Sequence, residues 1–430
     1  MTRRIIIALA LLAAAAWPLA ARRTITLEEC VTAAEVNYPL VRKYVPIERV
    51  AELNLSDINR SWLPGVTVYG QGTVQNVVPS FPAPLTDMLA QMGQDFRGLG
   101  KLQYKVGVDL SQTIWDGGQS KSSRKVERLS AEARRAAVDV DMYALRGRVE
   151  DLYFGILLLD EQIAQATLTR GLLAANLDKL RAMLACGTAM QADVDMVEAQ
   201  MLATDQQITA AGSSVKACRT SLALFTGLDM QDSELERPEA QMPPALESAR
   251  PELGLFDAQI KLSQAQQGAV RSSVMPRVGL FAQAYYGYPG IDYFRSMRSR
   301  DMTFNVLAGV KVSWSLSPLY TRKNRIAALA ADAAQTEADR DVFLFNSRML
   351  SDSQLEAVDG LRRVMADDSR IVSLRRSVRM AAEAQLDNGI IDTSALLAKI
   401  TDENMAELTA RYHEIELLKT ICQLRTTLNR

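Results

Sequence analysis

Histidine is almost absent from the sequence: His413 stands alone among 430 residues. That excludes a His-based metal centre and argues against any His-dependent nucleophilic triad. Its setting, Arg411-Tyr412-His413-Glu414, reads as a helix surface. Cysteine is nearly as scarce. Cys30, Cys186, Cys218 and Cys422 lie far apart in helical patterns without metal-ligand spacing, and they read as separate buried thiols, although an oxidising compartment would permit a disulfide. A charge surplus is missing too. With 49 Lys plus Arg against 50 Asp plus Glu, the formal net charge of -1 gives no footprint for nucleic acid. Proline and glycine, at 14 and 23 residues, are too few for a disordered or collagenous chain. No nucleophile elbow, metal box or phosphate loop occurs. Asp116-Gly117-Gly118-Gln119 is glycine-rich but lacks the residues that contact phosphate. Neither enzyme activity, cofactor nor metal is therefore expected. Beyond the N-terminus no run of 18 apolar residues occurs, so no membrane-spanning α-helix is expected.

What is present begins with an address. Thr2-Arg3-Arg4 is a basic start, Ile5 to Ala16 is an unbroken run of 12 apolar residues, and Pro18-Leu19-Ala20-Ala21 offers small residues for cleavage. Residues 1–21 read as a secretory signal peptide, since twelve apolar residues fall short of the roughly 20 needed to span a bilayer. No Cys stands at the cleavage point, which argues against a lipid-modified N-terminus.

The remainder is a duplication. Val106-Gly107-Val108-Asp109-Leu110-Ser111 recurs as Ala308-Gly309-Val310-Lys311-Val312-Ser313, an offset of 202 that also carries Gly187 onto Gly389 and Val194 onto Leu396. Two structural repeats follow, 22–226 and 251–430. Residues 227–250, with Pro238, Pro243 and Pro244 among acidic residues, read as the linker between them.

Each repeat holds two segments of strict alternation. Tyr104, Val106, Val108 and Leu110 share one parity against Lys105, Gly107, Asp109 and Ser111, and Phe304, Val306, Ala308, Val310 and Val312 do the same against Asn305, Gly309 and Lys311. The expected strands are 66–74 paired with 104–114 and 278–286 paired with 304–314. Their length and terminal aromatics are those of transmembrane β-barrel strands. A soluble sandwich is the alternative, but everything outside these strands is helical, so no second sheet is available to cover them. Four strands cannot close a barrel. The chain must oligomerise, as two copies giving eight strands or three giving twelve.

The expected helices are 39–61, 118–185 and 188–226 in the first repeat, and 251–274, 319–387 and 391–427 in the second. No Pro interrupts Gly118 to Ala185, and 68 residues of helix would run roughly 100 Å. Val194, Val197, Met201, Ile208, Val215 and Leu222 form a heptad seam for coiled-coil packing. In each repeat a long helix is matched by two shorter ones, and Gly187 and Gly389 mark the hairpin tips, where a glycine ends a helix.

These residues resemble a known family. Asn37-Tyr38-Pro39-Leu40 and Arg250-Pro251-Glu252-Leu253 opening helices, the Ile114-Trp115-Asp116-Gly117-Gly118 exit from strand to helix, and Gly187 followed by Asp193-Val194 look like the TolC-like outer-membrane efflux proteins. The resemblance implies a mainly α fold with a small β part. Three chains would share a 12-stranded barrel in the outer membrane, continued by an α-helical tunnel into the periplasm, with a mixed belt built partly from residues 227–250. It also implies a passive channel-tunnel, fed through a periplasmic adaptor by an inner-membrane pump of the RND or ABC class. A soluble periplasmic coiled-coil adaptor is the alternative function, though it would need a compact β domain that the sequence lacks.

The resemblance also distributes roles. Cys186, Gly187 and Thr188, with Asn388, Gly389 and Ile390, would form the adaptor-docking tips. Some members place acidic rings six and nine residues after the second glycine; here those positions are Ala395 and Ala398, which leaves Asp392 as the candidate gate carboxylate beside Leu396 and Leu397. Asp392 reads equally well as the cap of the return helix. Trp115, Asp116, Gly117 and Gly118 make the first barrel–helix junction. At the second, Ser317-Pro318-Leu319 replaces the double glycine. The loops Gln75 to Leu102 and Gly287 to Thr303 should face the exterior, where Pro79, Pro82 and Pro84 discourage regular structure.

Overall fold

The computed structural model describes residues 23–429 apart from Arg97, Asp232 and Leu246, so the expected signal peptide lies outside the described residues. In chain order the elements are β1 (Thr24–Ile25), α1 (Leu27–Asn37), a 3-10 turn (Pro39–Lys43), α2 (Tyr44–Arg60), β2 (Gly65–Val74), α3 (Ala83–Gln91), β3 (Leu102–Trp115), α4 (Gln119–Ala185) and α5 (Gln191–Thr226). After these come β4 (Glu234–Leu235), α6 (Pro251–Ser273), β5 (Arg277–Tyr288), α7 (Tyr293–Arg298), β6 (Thr303–Ser313), α8 (Ser317–Asp387) and α9 (Thr393–Leu428).

The chain forms two compact units, and both take residues from each repeat. One gathers the segments up to Tyr44, Ala136–Leu255 and Asp339–Arg430; the other gathers Val45–Arg135 and Phe256–Ala338. The cause is visible in the second unit. Its four strands form one sheet in the order β2-β3-β5-β6, antiparallel throughout, so that β3 of the first repeat pairs with β5 of the second. Sequence repeats and folding units need not coincide when hydrogen bonds cross the repeat boundary.

In the first unit a core is built from α1, α4, α5 and α9, where Cys30, Val149, Tyr153, Phe154, Leu222 and Ile415 are buried. Tyr153 lies at its centre. The phenol donates to the Ile25 carbonyl at 2.9 Å and lies 2.5 Å from that of Glu236, tying β1 and β4 to α4. Residues 227–250 are thus more than a linker. β4 pairs in parallel with β1, and the Ala249 amide donates to the Leu428 carbonyl at 2.8 Å, closing the end of α9.

Several local expectations are revised. The continuous helix over 39–61 is a 3-10 turn followed by α2, because Pro39 opens a new helical segment after Tyr38 breaks into extended geometry. The loops expected to face the exterior contain α3 and α7; Pro82 caps α3 and Pro84 stands in its first turn, where no amide hydrogen is needed. His413 is not a free surface residue. Its Nδ1 lies 2.8 Å from the Asp368 carboxylate on the neighbouring helix, with both side chains largely covered. Cys186 is exposed, whereas Cys30 and Cys422 are buried.

Candidate functional site

The sheet shows its chemistry by parity. Register aligns Val66, Leu110, Ala282 and Ala308 across all four strands, and likewise Val68, Val108, Ala284 and Val306, so the even-numbered residues share one face. That face is open: Val68, Phe304, Val310 and Val312 are 73, 70, 65 and 67% exposed. An apolar side chain left uncovered in every strand needs a non-aqueous neighbour. Aromatics frame the band, with Tyr104, Tyr286 and Phe304 toward the loop end and Trp115 and Trp314 toward the helices. From Phe304 to Trp314 the chain spans about 33 Å along the strand, or about 25 Å of depth at a tilt of about 40°. A bulge between Thr113 and Trp115 sets Trp115 opposite Val278, which brings an odd-numbered aromatic onto the apolar face. The odd-numbered face is mixed and largely polar. Gln283 donates to Asp109 at 2.7 Å, and the Lys105 ammonium lies 5.6 and 5.5 Å from the centres of the Tyr69 and Tyr285 rings.

The first junction is fixed by Asp116, whose carboxylate accepts from the Gly118 amide at 2.9 Å and the Ser120 amide at 2.6 Å, capping α4. Partial burial opposes ionisation, but the hydrogen bonds from Ser120 and Gly118 hold this carboxyl below its ordinary range. Gly117 has φ +68°, and a Cβ there would stand 2.4 Å from Met275 Cβ. The second junction is made differently. Pro318 is the second residue of α8, and the Trp314 indole donates to the Val274 carbonyl at 3.0 Å.

At the other extreme of the long helices the two hairpin tips are built alike. Gly187 has φ +76° and Gly389 φ +70°. Amides of Thr188 and Ile390 reach back to Met183 and Gln385 carbonyls, each at 2.9 Å. Cys186, Thr188, Asn388 and Ile390 are exposed. Beneath the tips Leu173, Leu177, Leu180, Val194, Val197, Leu386, Leu396 and Ile400 form a common core. Leu396 is therefore a core side chain of the single chain, while Ala398 is exposed and Ala395 half-buried. Asp392 is the N-cap of α9 and accepts from the Ala395 amide at 2.8 Å. That hydrogen bond, with one from Ser394, holds its carboxyl below the usual range.

One cluster escaped sequence reasoning. Glu403, nearly fully buried, pairs with Arg376 at 3.2 Å and with Arg379, while Glu407 takes Arg376 at 2.5 Å and the Gln165 amide at 2.6 Å. These partners join α8 and α9 to α4. Their heptad-related spacing looks like ordinary solvated charge in the sequence, and only the fold closes it over Glu403.

The described residues include neither a group of ligands able to hold a metal nor a helix apolar enough to span a membrane. A four-stranded antiparallel sheet with one open apolar face, together with two pairs of long helices, is a fold found in solved outer-membrane channels. The chain superimposes on the outer-membrane channel OprN with a TM-score of 0.68 at 17% identity, covering 94% of this chain and 89% of that one. The CmeC outer membrane channel of Campylobacter jejuni gives 0.66 at 13% identity, covering 94 and 85%. Residues 59–228 match the model of the outer membrane efflux protein family. The multidrug resistance outer membrane protein MdtP of Shigella flexneri is 24% identical over 340 residues; the alignment takes in 73% of this chain and 66%, just under two thirds, of that protein. The chain is thus similar to outer membrane efflux proteins over residues 59–228 and shares its fold with solved outer-membrane channels.

Proposed function

We propose that three copies of this chain form an outer-membrane channel that conducts exported substrates passively. An inner-membrane pump of the RND or ABC class would deliver them through a periplasmic adaptor that meets the hairpin tips. The observation that carries this reading is the open sheet itself. β2 and β6 each keep one unpaired edge, and an edge in lipid leaves N–H and C=O groups without partners. Joining β6 of one chain to β2 of the next removes every edge, and the even-numbered faces then form one continuous apolar band.

Mass measurement of the full chain in detergent tests assembly. A particle of three chain masses is expected, and a monodisperse monomer with ordered strands refutes the proposal. Docking is tested separately with Thr188→Trp and Ile390→Trp, which replace exposed residues beside the glycines. Export should fall while trimer yield stays unchanged; normal export by both variants counts against docking at the tips.

A further inference from the structure

The polar face of the sheet carries a sign. Across β2, β3, β5 and β6 the charged side chains are Lys105, Asp109, Arg277 and Lys311, all of odd number and all on the face opposite the apolar band. Three cations thus stand against one carboxylate, in a chain whose overall charge is -1. The imbalance is local. It also departs from the duplication, because the position of Asp109 in the first repeat holds Lys311 in the second.

The single carboxylate is already occupied by the Gln283 amide at 2.7 Å. Among the described residues no acid lies within ion-pair distance of Lys105, Arg277 or Lys311. The sheet makes room for Lys105. Gly287 lies directly opposite it, and a Cβ at Gly287 would stand 2.5 Å from Lys105 Cβ. The ammonium then rests beside the rings of Tyr69 and Tyr285, whose negative faces hold it without cancelling its charge. The enclosed Tyr69 hydroxyl has no hydrogen-bond partner among the described residues, which leaves a donor beside that cation. Lys311 likewise faces a glycine, Gly279.

We infer that the strand-lined passage selects anions, so that the cargo this channel favours is anionic. The inference rests on the trimeric channel proposed above, in which this face lines the lumen. Lys105 and Asp109 are four residues apart, about 13 Å along the strand, which exceeds the screening length of about 10 Å at about 0.1 M salt. The carboxylate therefore leaves the potential near Lys105 positive. Around a threefold axis, rings of uncompensated cations raise the local concentration of anions and lower that of cations.

Reversal potentials of the purified full-length protein in planar bilayers, under a KCl gradient, test the idea. Near about 0.1 M salt, chloride should be preferred over potassium about two- to threefold, and the preference should shrink at about 1 M as screening shortens. Lys105→Gln with Lys311→Gln should bring the ratio to about one or below at unchanged trimer mass, while Asp109→Asn should raise it. A conducting trimer that prefers potassium, or one whose reversal potential ignores the lysine substitutions, overturns anion selection and leaves the channel standing. A chain that forms neither trimers nor pores refutes the channel and this inference together.

Discussion

Replacing Tyr153 by Phe should loosen the joint between β1 and β4 without creating a cavity. The side chain is fully buried, and its ring packs edge-on against Phe154 at 6.1 Å, a contact that Phe preserves. What disappears is one hydroxyl beside two carbonyls. Ile25 O keeps a partner, because the Glu236 amide donates to it at 3.1 Å. Glu236 O is left with none of comparable quality. The cost is therefore that of one hydrogen bond and one stranded acceptor, about 1–2 kcal/mol. Burial pushes the phenol's pKa upward, so Tyr153 remains a donor throughout the neutral range and the effect should not vary with pH there. Hydrogen exchange of the Glu234 and Glu236 amides reads this joint directly, since the first donates to Arg23 O and the second to Ile25 O. Exchange should accelerate about 5- to 30-fold, while amides at the hairpin tips stay unchanged. Acceleration below about twofold would show that Tyr153 does not hold the strands together.

At the first junction Gly117→Ala should abolish the assembled protein, because the new Cβ meets Met275 and the backbone sits at φ +68°, whereas Gly118→Ala, at φ +84° in open space, should cost about 1–2 kcal/mol and still yield folded chain; trimer yield distinguishes them. The Asp392 cap should hold at neutral pH and be lost only in acid: its carboxyl is depressed below the ordinary 3.8, so its stabilising effect is complete above that value and disappears as the pH falls through the lower folded pKa. Exchange at the start of α9 should therefore rise below about pH 4, and should be insensitive to pH in Asp392→Asn. Thiol labelling of the native chain should modify Cys186 rapidly and spare Cys30 and Cys422, which are buried and whose pKa values are pushed up to about 12 and about 11.

The strands were readable in the sequence because alternation is a two-residue signal that lipid and water enforce on opposite faces. Pairing followed from proximity within each repeat. The β3–β5 pairing across repeats had no local signature, and it decides that the compact units cut through the duplication. The start of α1 is signalled only by the capping box of Thr26 and Glu29, a pattern that four residues carry. The sequence hides α3 because Pro79, Pro82 and Pro84 read as breakers, whereas Pro82 and Pro84 stand where a helix begins. The tips were readable, since each needs one glycine at positive φ. The Arg376–Arg379–Glu403–Glu407 cluster was not: its members are common helix-surface residues until a third helix brings Gln165 against them.

The two free edges also set the genetics of the assembly. In the proposed trimer each protomer receives a neighbour at β2 and offers β6 to the next, so a single defective edge opens the whole ring. Random mixing of intact chains with an equal amount of edge-defective ones would leave about one ring in eight closed, because all three members must be sound. An allele that spoils one strand edge is therefore dominant in proportion to its dose, whereas one that prevents folding altogether is recessive, because its product never joins a ring.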